Sequence, residues 1–456
     1  MSENSAVTAS QKGTSAAPPE EIELGSQRGS HAKHASTPLP EAANLEAEGP
    51  RIPGQGRLPL RDIDSRALDI VNRLQDRGFE AYLVGGCVRD LLAGVKPKDF
   101  DIATSALPQQ IRKAVPFCVI IGRRFKLVLA RRGDQQFEVA TFRRQMSQEE
   151  LESAQTAVET GQEAVVGDNF FGTSEEDARR RDFTINGLFY DPRKDMIIDY
   201  VQGMRDINTR TLRMIGDSET RFREDPIRIL RALRLAHKLN FSLAPELRGA
   251  IVKTSFSLRE AILPRKREEY LKILKLEDPV RALLELYDLN VLQVILPSLV
   301  PLIENEDSFL TFSYLIQRSR EVGFDMNSPL EVMSVFLYCY FRSLYQEDSF
   351  EQIRARVQSD ENLSRLKDEF GVFKSEAQYF TSCLDNYLPL SDPERYKKKG
   401  ERRQTGFIHQ DCVPLAFRLF CLDHSFSATT QLFWVQELTK HELLQLDPYA
   451  VGEVQS

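Results

Sequence analysis

The sequence lacks the cysteine patterns of disulfide-rich and zinc-binding proteins. Its six cysteines are scattered, and no two of them stand in a Cys-x-x-Cys spacing. They are Cys87, Cys118, Cys339, Cys383, Cys412 and Cys421. This usage predicts free, buried thiols in a reducing cytosol rather than disulfides or a zinc site. We therefore expect a cytoplasmic protein.

Long apolar runs are absent too. No stretch reaches the roughly eighteen consecutive apolar residues that a membrane-spanning helix needs. The N-terminus has no apolar segment typical of a signal peptide, and Glu20, Glu21 and Glu23 argue against a transit peptide. We expect no membrane partner.

An excess of basic residues is also missing, since the formal net charge is −7. Net charge averages over regions, however, and an acidic segment can hide a basic cleft elsewhere. Residues 145–168 are such a segment, because they contain acids but no Lys or Arg. They predict a mobile acidic loop. Binding to RNA is therefore compatible with the composition.

A pair of aspartates follows the first strand-like stretch of the chain. Ala81 to Val84 is apolar and predicts a strand, and we place Asp99 and Asp101 in the next one. Alternate residues of a strand point to the same side, so the two Cα atoms would lie about 6.5 Å apart. Such a pair can share two hard divalent cations about 3.5–4 Å apart. The alternative is a hairpin with solvated acids.

Gly85 and Gly86 end the first strand, and Arg89 and Asp90 follow them. Paired glycines let the backbone approach a phosphate closely and expose N–H donors to it. This arrangement indicates a phosphate-binding turn next to the aspartate pair.

Together, the strand, the glycines, Arg89-Asp90 and the Asp-x-Asp pair resemble the head motif of nucleotidyltransferases related to polymerase β. The pattern is similar to the class of bacterial poly(A) polymerases and CCA-adding tRNA nucleotidyltransferases, over residues 63–301. The resemblance implies an α/β head with a mixed sheet, followed by an all-α neck, body and tail. It also implies that Asp99 and Asp101 hold Mg²⁺, with Mn²⁺ as the alternative. Gly85, Gly86, Arg89 and Asp90 would bind the nucleotide.

The order of patterns along the chain predicts four regions. Residues 1–56 are rich in Ser, Ala, Pro, Gly and Glu and predict a disordered tail. Helical and strand periods alternate over residues 57–215, which we expect to form the catalytic head. From residue 216 onward the period is helical, with a neck over 216–280 and a body over 281–456 as the RNA-binding region.

Two acids are candidates for a third catalytic carboxylate. Glu138 lies in the predicted strand from Gln136 to Phe142, and its position on a strand favours it physically. The alternative is an edge-strand glutamate that faces water. The family resemblance instead favours Asp182 as the residue tied to activity.

A second motif of the resemblance is Arg-Arg-Asp-Phe-Thr-Ile-Asn-Gly, which ends at Gly187. In relatives its Arg and Asp contact the sugar and phosphates of the nucleotide. By resemblance Arg181, Asp182 and Asn186 are therefore nucleotide-binding residues. A run of charges is otherwise most often a solvated face.

The stretch from Arg223 to Lys238 predicts one amphipathic helix. Its cations share the side opposite the apolar stripe: Arg228, Arg231, Arg234 and Lys238. A basic stripe is by default a solvated face. The resemblance assigns Asp225 and Arg228 to reading the edge of the incoming base, Arg231 to the nucleotide and Arg234 to RNA. An acceptor and a bidentate donor on one helix turn could match a base edge.

Further cations predict contacts with RNA. Arg123 and Arg124 follow the third strand-like run and would add charge beside the phosphates and the RNA. Lys397, Lys398 and Arg402 form a basic cluster in the body. Tyr396 inside it favours stacking on a base, with a solvated loop as the alternative.

The strand region Ile121 to Arg143 looks like the version in bacterial poly(A) polymerases. The resemblance therefore implies an RNA adenylyltransferase that uses ATP, releases pyrophosphate and extends RNA 3′ ends. A CCA-adding enzyme is the alternative, and a catalytically silent RNA-binding protein is a more remote one. Partners in RNA decay would fit, but the sequence does not identify them.

Overall fold

The computed structural model describes residues 58–122, 126–145 and 170–444. The tail predicted over 1–56, nearly all of the acidic segment 145–168, and Arg123 and Arg124 lie outside these residues. In the described part of the chain, no helix is long and apolar enough to cross a membrane.

A seven-stranded mixed sheet forms the centre of the head. In chain order its strands are β1 Ala81–Val84, β2 Asp101–Thr104, β3 Cys118–Ile121, β4 Leu127–Arg132, β5 Gln135–Thr141, β6 Leu188–Asp191 and β7 Met196–Asp199. Their order across the sheet is β3-β4-β5-β2-β1-β6-β7. Only β2 and β5 pair in parallel, and the other neighbours are antiparallel. The predicted mixed sheet is confirmed.

The two faces of this sheet differ in what covers them. Residues such as Leu83, Ile102 and Val139 point into the main core beneath the helices. Tyr82, Ala103 and four further buried side chains form a second, smaller apolar cluster. Because side chains alternate along a strand, the residues that flank Ile102, Asp101 among them, lie on the face of the smaller cluster.

The prediction that Asp99 lies in the second strand is wrong. Strand β2 begins at Asp101, whose partner on β1 is Val84, the last residue of that strand. Beyond Val84 the chain turns at Gly85 into a helix, so β1 offers no partner to residues before Asp101. Asp99 therefore lies in the loop that enters β2 and is not held by strand geometry.

The helices of the head surround the sheet. They are α1 Ser65–Gln75, α2 Gly86–Leu92, α3 Pro108–Ala114, α4 Ser174–Arg179 and α5 Gly203–Asn208. Helix α4 begins with a capping box, in which the Thr173 hydroxyl accepts from the Glu176 N–H while the Glu176 carboxylate accepts from the Thr173 N–H. A 3-10 turn, Thr184–Asn186, carries the end of the second motif into β6.

From Ser218 to Lys440 the chain is helical except for Ser242–Leu243 (β9), which pairs with Thr211–Leu212 (β8). The α-helices are α6 Ser218–Glu224, α7 Ile227–Leu239, α8 Pro245–Thr254, α9 Leu263–Leu274, α10 Pro279–Asp288, α11 Leu292–Ile295, α12 Val300–Glu304, α13 Glu306–Glu321, α14 Pro329–Leu344, α15 Phe350–Val357, α16 Asp360–Asp368, α17 Lys374–Asp385, α18 Tyr387–Ser391, α19 Pro393–Lys397, α20 Glu401–Ile408, α21 Val413–Phe420 and α22 Ala428–Lys440. The helical character of this half is confirmed, while the predicted neck and body boundaries stay predictions.

The single helix predicted from Arg223 to Lys238 is wrong. It is broken between α6 and α7, where Asp225 is extended with φ −149° and ψ 94°. Pro226 explains the break, because a proline disfavours helical geometry in the residue before it. Asp225 therefore precedes α7, although its carbonyl accepts a hydrogen bond from the Arg228 N–H at 3.1 Å and so connects it to the first turn. The predicted apolar stripe of this stretch is buried in α7.

Candidate active site

Asp101 and Glu138 lie next to each other on the open face of the sheet. Ile102 is paired with Val139 on two parallel strands, so the residues before them are also neighbours. The pKa of Asp101 is raised to about 6, mainly by burial and then by the charges of Glu138 and Asp99, while Arg181 and Arg89 oppose the increase. The neighbouring arginines therefore offset the burial of Asp101 and its repulsion from the other carboxylates only in part.

The turn after β1 requires a glycine at residue 85. Gly85 has a φ of +68°, and a Cβ placed on it would lie 2.8 Å from Nη1 of Arg181. The backbone of this turn thus lies directly against the Arg181 guanidinium. A Cβ on Gly86 would make only an ordinary 3.7 Å contact with Arg89. The structure therefore explains Gly85 sterically but gives no such reason for Gly86.

Asp177 anchors the arginines of the second motif, a role that we did not predict. Its side chain is 1% exposed and accepts from Arg181 at 2.9 Å and from Arg180. Burial alone would raise the pKa of Asp177, but the charges of Arg181 and Arg180 hold it below its usual value. The sequence signal for this role was the position of Asp177, three residues before Arg180 and four before Arg181, which brings the side chains together at the end of a helix.

Asp182 is fully hydrogen-bonded. One carboxylate oxygen accepts from the Phe183 N–H and from Nδ2 of Asn186, each at 2.8 Å. The other accepts from Nε and Nη2 of Arg231 at 2.9 and 2.6 Å. Burial would raise the pKa of Asp182, but Arg231 and these hydrogen bonds lower it. This carboxylate positions Arg231 and is not part of the Asp101 and Glu138 row.

A closed network joins the head to α7. Arg231 binds Asp182, Asn186 bridges Asp182 and Arg89, Arg89 binds Asp90, and Asp90 binds Lys238, which is again on α7. We call these residues the head–helix network: Arg231, Asp182, Asn186, Arg89, Asp90 and Lys238. Asp90 is 4% exposed and both of its oxygens accept hydrogen bonds from cations. Its place is therefore within the protein's own ion pairs.

The cationic side of α7 is not a solvated face, so the default interpretation of this stripe is wrong. Arg234 donates to Glu269 at 2.7 Å and is 16% exposed, which leaves it little surface for RNA. Arg228 donates to Glu224 at 2.9 Å and to the Arg221 carbonyl at 2.7 Å. These cations pack against neighbouring elements because the acids that face them come from other helices and from the head.

Asp225 has a partner that the sequence did not indicate. Arg265 on α9 donates to both of its oxygens, at 3.0 and 2.9 Å. Arg221, also missed, donates to the carbonyls of Arg180 and Arg181 and so ties α6 to the second motif. Burial lowers the pKa of Arg221.

The basic cluster of the body is divided between surface and core. Tyr396 is 3% exposed and packs against Trp434 with ring centroids 4.9 Å apart, so the predicted base stacking by Tyr396 is wrong. Lys397 binds Glu394 and lies over the ring of Phe433. Lys398 and Arg402 are exposed, and their contact with RNA stays a prediction.

The fit to a metal ion is one of charge and ligand type. Across residues 58–122, 126–145 and 170–444, no three His, Cys, Asp or Glu side chains converge closely enough to ligate a metal as they stand. Asp99, Asp101 and Glu138 nevertheless offer the oxygens that hard divalent cations prefer. The pKa of Asp101 is raised first by burial and then by the charges of Glu138 and Asp99, and a bound cation would counteract both causes.

Two family models match the chain. Residues 81–213 match the poly A polymerase head domain, and residues 240–303 match the probable RNA and SrmB-binding site of polymerase A. The first match contains β1, the Gly85 turn, Asp99, Asp101 and the second motif. The second begins just after α7.

Curated relatives are similar over about half of the chain. Poly(A) polymerase I of Salmonella typhi is 43% identical over 56% of this chain and 55% of its own length. The CCA-adding enzyme of Lactobacillus delbrueckii subsp. bulgaricus (strain ATCC 11842) is 34% identical over 47% of this chain and 51% of its own length. The matched part thus spans about half the length of these relatives.

A solved structure shows the same architecture. The Bacillus stearothermophilus CCA-adding enzyme in complex with CTP aligns over 82% of both chains with a TM-score of 0.59 and 24% identity. At this identity the likeness concerns the fold. The chain therefore shares the fold of that enzyme, a mixed-sheet head followed by a helical body. Within it, residues 81–213 match the model of the poly A polymerase head domain.

Proposed function

We propose that this chain is a template-independent RNA nucleotidyltransferase that transfers AMP from ATP to RNA 3′ ends and releases pyrophosphate. The observation that carries the proposal is the pair of neighbouring carboxylates Asp101 and Glu138, only partly offset by Arg181, beside the Gly85 turn. Negative charge on one side and a half-buried, oriented cation on the other suit a triphosphate held by divalent cations.

In this proposal Asp99 and Asp101 hold Mg²⁺ or Mn²⁺, with Glu138 as the third carboxylate. The bound cation would neutralise the triphosphate and favour ionisation of the attacking 3′-hydroxyl. Arg181 lies against the Gly85 turn and supplies positive charge to the phosphates. Asp177 keeps its guanidinium in place, so no reorganisation is needed when the nucleotide binds.

Base selection is assigned to Asp225 and Arg228 despite the break between them. Arg265 fixes the Asp225 carboxylate, while Glu224 and the Arg221 carbonyl fix Arg228. Side chains held in this way can present a constant set of donors and acceptors to a base. Discrimination then follows because a wrong base leaves a buried polar group without a partner.

The relatives favour adenylate addition over CCA addition. The poly(A) polymerase I reported above is 43% identical to the matched part of this chain, whereas the CCA-adding enzyme is 34% identical. The match to a probable RNA-binding site over residues 240–303 supports RNA as the partner. A cytoplasmic location fits the same proposal.

Incubation of the protein with a short RNA, Mg²⁺ and each single nucleoside triphosphate tests the proposal. Long tails made from ATP alone are the expected product. Addition of C, C and A to a trimmed tRNA would instead establish the CCA-adding alternative. RNA binding without any product would identify a silent binding protein.

A further inference from the structure

An exposed apolar surface continues the row of carboxylates toward the edge of the sheet. Glu138 on β5 is paired with Leu129 on β4, and Leu129 with Val119 on β3. The next paired residues on this face are Leu127 and Ile121. We call these four residues the apolar shelf: Val119, Ile121, Leu127 and Leu129.

The exposure of the shelf is unusual for a strand surface. Val119 is 59% and Ile121 41% exposed, whereas Cys118 and Ile120, which point to the other face, pack against the main core. Leu127 and Leu129 are half-buried, while the intervening Val128 is fully buried. A contiguous apolar surface beside a polar site indicates a binding surface.

Cations stand at both ends of β4. Arg131 and Lys126 are exposed, one after and one before the shelf residues of that strand. Apolar surface flanked by cations is the combination with which proteins bind single-stranded nucleic acid, since bases need apolar contact and phosphates need positive charge. An aliphatic surface accepts any base, because each base has an apolar face.

The direction of the reaction places RNA on this side, if the proposed function is correct. In-line transfer needs the attacking hydroxyl and the leaving pyrophosphate on opposite sides of the phosphorus. The Gly85 turn and Arg181 lie on the β1 side of Asp101, which we assign to the triphosphate. The 3′-hydroxyl must then arrive from the β5 side, where the shelf begins.

We propose that the apolar shelf binds the unpaired bases just upstream of the RNA 3′-terminal nucleotide. Adjacent strands are spaced by about 4.8 Å, so β4 lies roughly 10 Å from β2 and Asp101. The shelf therefore lies beyond the terminal ribose and contacts the preceding bases. Arg131, which lies on the same face as Leu127 and Leu129, contacts the phosphates between these bases.

Photo-crosslinking tests the location directly. An RNA with 4-thiouridine at its penultimate position is bound to the full-length protein and irradiated in the presence of EDTA, so that no nucleotide transfer occurs. Crosslinks in β3 or β4 are expected. Crosslinks confined to other segments would overturn the proposal. This readout is independent of catalysis: a protein that crosslinks at the shelf but adds no nucleotide would refute the proposed function and leave the shelf assigned.

A double variant, Val119→Thr with Ile121→Thr, tests the apolar contribution while it keeps β-branched side chains. The KM for RNA should rise about fivefold or more, at both low and high salt, with the KM for ATP unchanged. Met196→Thr is the matched control, because Met196 is 45% exposed on the opposite edge strand of the same sheet. Equal effects of the double variant and the control would overturn the proposal.

RNA with abasic upstream positions separates contact with bases from contact with phosphates. The wild-type protein should bind the abasic RNA as weakly as the double variant binds normal RNA. The double variant should then bind the abasic RNA with little further loss of affinity. If the losses of affinity from the abasic RNA and from the double variant were fully additive, the proposed contact between the shelf and the bases would be contradicted. A marked drop in thermal stability of the double variant without any change in RNA binding would show that a segment of this chain covers the shelf instead.

Discussion

The carboxylate row and the head–helix network use the same residue types in opposite ways. Asp101 and Glu138 lie side by side, and burial together with the charge of Glu138 raises the pKa of Asp101 to about 6, although Arg181 opposes the shift. Asp182 in the network is surrounded by donors, and its pKa is lowered. The comparison distinguishes carboxylates whose pKa is raised by burial and by their neighbours from carboxylates that bind the protein's own cations.

The largest effect should follow from Asp101→Asn. If Asp101 holds the catalytic cation, nucleotide incorporation should fall by about 10³-fold or more, since a main transition-state stabiliser is lost. Single-turnover incorporation of AMP into a short RNA measures this. Asp134→Asn is the control, because its side chain is 87% exposed in the turn between β4 and β5. Activity within tenfold of wild type would remove Asp101 from the site.

Asp182→Ala should lower the stability of the protein, because Asp182 binds one of the protein's own cations. Arg231 would lose its carboxylate partner, so the free energy of unfolding should fall by about 2 kcal/mol or more. Glu138→Ala should lower activity while it leaves stability unchanged or slightly increased, because it removes repulsion from Asp101.

Chemical denaturation measures the free energy of unfolding of both variants, and AMP incorporation assays measure their activity. Adding Arg231→Met to Asp182→Ala should restore part of the stability. If Glu138→Ala were fully active and Asp182→Ala inactive at unchanged stability, the roles would be reversed and Glu138 would leave the site.

The charge coupling predicts a pH dependence in the absence of metal. A carboxyl whose pKa is raised from 3.8 to about 6 loses its proton more easily in the unfolded chain. The contribution of Asp101 to the free energy of unfolding should therefore decrease as pH rises from about 4 to 6. Glu138→Gln should lower the pKa of Asp101 and weaken this slope. Carbon NMR titration of the Asp101 carboxyl measures it, and an unchanged midpoint would disprove the coupling.

Arg228→Ala should give the smallest effect. If Arg228 reads the base, the preference for ATP over CTP should narrow by about fivefold, with little change in RNA affinity. Arg223→Ala is the matched control, since Arg223 is 68% exposed on the preceding helix. Unchanged nucleotide preference together with weaker, salt-sensitive RNA binding would show that Arg228 serves only as a surface cation.

Short-range patterns predicted the head well. The apolar strand Ala81–Val84 and the apolar stripe of α7 each depend on residues within a few positions of one another. Periodicity also placed β3, β4 and β5 to within one or two residues of their observed ends. The candidate site was found because Asp99, Asp101 and the glycines stand close together in the sequence.

The same local patterns misled where distant partners decide. Asp99 was placed in a strand because it alternates with Asp101, yet β1 ends too early to pair with it. Tyr396 lies among cations in the sequence, but its ring packs against Trp434 in the core. The stretch from Arg223 to Lys238 was expected to form one helix, but Pro226 divides it into α6 and α7.

By itself the sequence determined the elements of the head, the glycine turn and the identity of the acids. Only the tertiary structure decided which acids are neutralised. Asp182 and Arg231 are 49 positions apart, and Asp90 and Lys238 are 148 apart. An ion pair depends on distances of a few ångströms and on burial. Sequence spacing does not encode either quantity once the chain has folded back on itself.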